Sequence, residues 1–150
     1  MFDLNRTADR MASVMQNDWC MPNASDIFHH KLAHLYPLLA DSLTEIKDRW
    51  NVSSVYGMTH EDGRDYTNLE DMFSTFLKEN LEGYEMIKLA YKVAQEENDF
   101  NVQADLVDFM QDYNKVVSQC ITLHDKAEQM PNNFVQFDQY FDKFGIVGLD

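Results

Sequence analysis

Cysteine is scarce in this chain. Cys20 and Cys120 stand far apart and outside any C-x-x-C spacing, which excludes a disulfide framework or a cysteine-built zinc site and fits a pair of reduced thiols. Proline occurs only at positions 22, 37 and 131, glycine at five positions, and no segment alternates polar and apolar residues over a strand's length. The chain therefore reads as all-α. Bases are few as well: twelve Lys and Arg stand against 26 Asp and Glu, a formal net charge of −14. Proteins that neutralise phosphates need clustered Lys and Arg, so this balance argues against direct DNA binding. It would instead attract cations wherever the acids face a cavity or channel, solubility being the plainer role. No apolar run approaches the ~20 residues of a bilayer-spanning helix. The opening MFDLNRTADRM has neither the pattern of a secretory signal nor that of a transit peptide. The expectation is a soluble, cytoplasmic protein with no membrane partner.

What is present suffices for one globular unit, taken as a single domain over residues 1–150. Hydrophobic residues make up 45% of the chain, with nine Met and ten Phe, and a chain of this length buries roughly 68–70% of its unfolded surface without a metal or disulfide staple. Leu4, Ala8, Met11, Met15 and Trp19 recur at helical spacing and predict a first, short helix ending before Pro22. A second helix is expected to be capped by Ser25 or Asp26 and to carry an apolar stripe from Phe28 through Leu32, Leu35, Leu39, Leu43 and Ile46 to Trp50. Pro37 lies inside that stripe and predicts a kink or a locally loosened turn, because it lacks an N–H and its ring crowds the preceding turn.

Residues 51–66, with Gly57 and Gly63, have no sustained period and read as a crossover. TNLE at 67–70 has the form of a capping box and opens a third helix, with Phe73, Leu77, Tyr84, Ile87, Tyr91 and Ala94 on its stripe. Asn80 falls on the same stripe and reads as a hydrogen-bonded core amide. A fourth helix follows from Val102, Leu106, Phe109, Tyr113, Val116, Cys120, Leu123 and Ala127, stopped by Pro131. Phe134, Phe137, Phe141 and Phe144 then form an apolar face on a short C-terminal helix, suited to a flap over the bundle's end or to an oligomer contact. A long link between the second and third helices of a four-helix bundle is the ferritin-like topology.

Three histidines crowd one stretch, FHHKLAHL. His30 and His34 are four apart and form a chelating pair at ligand spacing. Asp41 and Glu45 follow on the same helical face, too far along the axis to join that pair except across a symmetry axis. The alternative is a solvated polar face. His60, in its Glu-Asp-Gly loop, reads as turn chemistry, and His124 as a hydrogen-bonded core histidine.

Four segments, IFHHKL, TEIKDR, EDGRDYTNLEDMF and AQEENDFNVQADL, together resemble the Dps-like mini-ferritins over about residues 26–130. The resemblance implies a ferritin-like four-helix bundle in a homo-oligomeric shell, from a two-fold dimer up to a dodecamer, that binds and stores iron. It also implies an iron site between subunits, with His29 as the histidine of the second helix and Asp48 as an acid of the neighbouring copy. The companion acid falls on Thr44, and the first-helix histidine of the family falls on Asn17 or Asp18. Ferroxidase chemistry by the family's route would thus need other residues. The functional expectation is iron storage or detoxification, with an inactive Dps-like binding or structural protein as the alternative. A di-iron site inside one bundle would want Glu-x-x-His on two helices, and no histidine here has Glu three positions before it.

Overall fold

In the computed structural model, which describes residues 1–148, the first apolar stripe forms α1, Phe2–Asn17. The second helix starts earlier than the side-chain caps suggest. Pro22, whose fixed φ is ready-made for a first helical position, opens α2, Pro22–Phe28. Ser25 lies inside it, its hydroxyl donating to the Ala12 carbonyl at 2.8 Å. The N-terminus of α2 is served from elsewhere, since the Ala24 N–H donates to Asp138 Oδ1 at 2.7 Å. A π-helical turn, His29–Ala33, leads from α2 into α3, Leu35–Arg49. The loosening expected at Pro37 is found there, one turn ahead of the proline.

After the irregular stretch 51–68 come α4, Leu69–Glu96, and α5, Phe100–Gln129. The capping box is shifted by one residue from the expected one. Asn68 is the N-cap and accepts from the Asp71 N–H at 2.9 Å, while Asp71 accepts in turn from the Thr67 N–H. The register moves because Asn is as good a cap as Thr and places Leu69 fully inside the core. Asn98, in the left-handed region at φ 57, turns the chain between α4 and α5, and Asp99 caps α5 through the Val102 N–H.

Helix directions follow from the hydrogen bonds. Asn5 meets Ala33, Asp9 meets His29 and Ala12 meets Ser25, so α1 is antiparallel to the α2–α3 rod. At one end Arg49 donates to Asp105 at 2.7 Å, and at the other the Leu69 N–H donates to the Pro131 carbonyl at 3.0 Å. The 51–68 link therefore runs the length of the α4–α5 hairpin. On its way the Arg64 guanidinium meets Asp62, Glu79 and Thr7, clamping link, α4 and α1 together.

One core joins all the long helices. At its centre the Tyr36 hydroxyl donates to Asn80 Oδ1 at 2.8 Å, the Asn80 amide donates to the Phe76 carbonyl, and the Tyr113 hydroxyl donates to the Asn80 carbonyl at 3.0 Å. Asn80 is wholly buried and satisfied, as the stripe suggested. The C-terminal phenylalanines cover one end of this core. Phe137, on α6, Phe134–Tyr140, stacks near Phe73 with ring centres 5.3 Å apart, and both Phe137 and Phe141 are fully buried. Among the described residues there is no strand, and no helix is long and apolar enough to cross a membrane.

Candidate metal centre

The π turn decides where the histidines go. In it the His34 N–H reaches the His29 carbonyl, five residues back, at 3.4 Å. One extra residue is thereby accommodated in the turn, and His29 and His34 come to lie above one another. Ring centres are 4.6 Å apart for His29 and His34, 5.1 Å for His29 and His30, and 5.5 Å for His30 and His34. One ligand nitrogen from each of the three lies within 4.8 Å of the others. The residue singled out by family resemblance and the pair singled out by spacing thus form one cluster.

Two carboxylates orient the rings. Asp9 Oδ1, from α1, is 3.1 Å from His29 Nδ1, which leaves His29 Nε2 for a metal. Asp26 Oδ1 lies 3.4 Å from His30 Nε2, leaving His30 Nδ1. Both His–Asp contacts are solvent-exposed and contribute little to stability. A cleft of about 390 Å³ between α1 and α2 reaches His29 past Asp9, Ser13 and Asp26, giving solvent access to the cluster. Three imidazoles with open positions are a donor set that would suit a first-row divalent ion. The donor set fits such an ion, and ferrous iron is within its range.

Asp41 and Glu45 do not join the cluster. Both are exposed on α3, about 10 and 16 Å along the helix from His34. Glu45 lines a separate cleft with Arg49, Asp105, Asp108 and Asp112. Asp48 is exposed near the C-terminal end of α3, roughly 28 Å by helical rise from His29 of the same chain. Thr44, where the resemblance wants an acid, donates its hydroxyl to the Ala40 carbonyl. The bundle interior holds no metal set among the described residues. Phe28, Phe73, Phe76, Tyr36 and Tyr113 fill it, and the one buried acid, Asp138, caps α2.

The remaining histidines lie elsewhere. His60 is exposed in the link, its backbone N–H donating to Asp3 Oδ1 at 2.8 Å, which is loop chemistry as expected. His124 is not a core residue: it stands half-buried beside the core helix face, 3.5 Å from Asp125 and close to Glu128. Its position borders the apolar stripe of α5 without entering it, a distinction of less than one helical turn that periodicity does not resolve. Asp9, and Asp26 as a partner of His30, were missed by sequence reasoning. Asp26 had a signal, four residues before His30, whereas nothing local links Asp9 to His29.

Comparison of the chain with protein-family models, with curated proteins and with solved structures returned no match.

Proposed function

We propose that this protein is a ferritin-like, Dps-related metal-binding bundle in which His29, His30 and His34 hold a divalent first-row ion, iron being the ion the sequence resemblance implies. The observation that carries the reading is the convergence of three imidazoles with an aspartate beside two of them. Helix order adds support, since α1 and α5 run one way, α3 and α4 the other, and a long link joins the parallel pair. In this reading the cluster captures ferrous iron from solution, steered by the surplus of acids. Storage follows if copies of the chain assemble into a shell, where Asp48, Asp41 and Glu45 of neighbouring copies supply oxygen donors.

A second reading, a Dps-like binding or structural protein without an oxidation centre, is favoured by the aromatic filling of the bundle interior. Ferrous iron added anaerobically to the purified protein, followed by crystallography at the iron edge, tests the first. Anomalous density is expected at the three histidines, and replacing His29, His30 and His34 together by Ala should remove it. Iron bound with unchanged stoichiometry in that variant would overturn the assignment. Subsequent admission of oxygen or peroxide separates the readings: oxidation no faster than in buffer leaves binding without ferroxidase activity.

A further inference from the structure

The histidine cluster does not follow from helical spacing. At 100° per residue, side chains five apart in an α-helix point about 140° away from each other. A regular helix through residues 28–50 would bring His30 and His34 together and turn His29 aside. What adds His29 is the π turn, and Pro37 follows that turn closely. Pro37 offers no N–H to the carbonyl four residues before it, and in a regular helix its ring would press on that carbonyl, which belongs to the buried Ala33. The Ala33 oxygen instead accepts from Asn5 Nδ2 of α1 at 3.0 Å. One turn further along α1, Asp9 holds the His29 ring. The first helix thus grips the π turn at two successive points, one on its backbone and one on its ligand.

We propose that Pro37 and Asn5 are positioning residues for the metal: together they hold the π turn open and convert a two-imidazole chelate into a three-imidazole site. The proposal rests on the reading of the cluster as a metal site. Neither residue is among the ligands, and neither carries a charge. With Pro37→Ala the i to i−4 bond to Ala33 can form, the helix straightens, and His29 swings away from His34. The pair His30 and His34 stays together, so binding is weakened rather than abolished.

The test uses cobalt(II) as the probe ion on the full chain, with titration for affinity and X-ray absorption for the number of imidazole ligands. Wild type is expected to show three imidazoles, and Pro37→Ala two, with affinity lower by roughly 10- to 100-fold, the range for losing orienting interactions around a metal. His29→Ala should have a similar effect, and Pro37→Ala with His29→Ala together should be no worse than either alone, because both act through the same ligand. Asn5→Leu, which keeps the side-chain shape and removes the donor, should shift affinity in the same direction and carries the test if Pro37→Ala does not fold. Failure of wild type to bind cobalt would overturn the metal reading and this proposal with it. Three imidazoles and undiminished affinity in Pro37→Ala or Asn5→Leu would overturn the positioning role alone, as would additive losses in the double variant.

Discussion

The buried Tyr36–Asn80 pair fixes how α3 sits against α4, and its contribution can be separated from that of its surroundings. Both residues are fully buried, and Tyr36 Oη donates to Asn80 Oδ1 at 2.8 Å. Burial pushes the Tyr36 hydroxyl well above the usual phenol range, so it stays a neutral donor. Asn80→Leu keeps the branched shape but strands that hydroxyl, a loss of ~1–3 kcal/mol for the orphaned group plus ~1 kcal/mol for the bond itself. A total of about 2–4 kcal/mol corresponds to a fall in Tm of roughly 5–15 °C for a chain of this size. Tyr36→Phe strands the Asn80 oxygen instead and should cost about 1–3 kcal/mol. With both changes neither the hydroxyl nor the amide oxygen of this bond is left behind, and the double variant, like Asn80→Leu, loses only the further donation to the Phe76 carbonyl, so it should be little worse than the worse single one. Urea unfolding of the four proteins gives the coupling energy, expected at about 1–3 kcal/mol. If the two losses add to within ~0.5 kcal/mol, the pair is not coupled and the account of the core's centre given above is wrong.

Gly83 lies where a β-carbon would come within 2.5 Å of Tyr113 Oη, so Gly83→Ala should destabilise by roughly 1–3 kcal/mol in thermal melts, and the penalty should largely vanish in a Tyr113→Phe background. Hydrogen bonding from the Arg64 guanidinium holds the Asp62 carboxyl below its ordinary value. A depressed carboxylate contributes its stability above the unfolded pKa, about 3.9, and loses it as pH falls through the lower folded value. Urea midpoints for wild type should therefore decline below about pH 4, and Asp62→Asn should flatten that decline; an unchanged slope would refute the link. Cys120 is fully buried, with burial pushing its thiol well up, whereas Cys20 is exposed. A thiol reagent should modify one cysteine in the native protein and the second only on unfolding, and two fast-reacting thiols would contradict the packing. Imidazoles bind metal only through an unprotonated nitrogen, so on the proposed reading acidification should release cobalt(II) from the histidine cluster, monitored by the loss of its absorption spectrum.

The helices and most of their inward faces are legible in the sequence, although Trp50, expected on the second stripe, is exposed and Phe76, outside the expected third stripe, is fully buried. The period-3.6 stripes through Leu35 and Leu39, Phe73, and Leu106 to Ala127 are the buried ones, and Asn80 is legible as a core amide because it interrupts an apolar row. Pro37 announced a disturbed turn for a reason internal to one residue. The sequence also held both halves of the histidine cluster, but as separate readings that a regular helix cannot join. Only the folded chain brings them together, in a π turn that Asn5 and Asp9 contact from another helix, more than a dozen residues away in sequence. The same holds for Asp138 capping α2 and for the C-terminal phenylalanines, which turned out to close the molecule's own core. Periodicity records which side of a helix is apolar, a property of each segment alone. The register and rotation of one helix against another are set by how side chains of many segments fill a shared volume, and that information is spread over the whole chain.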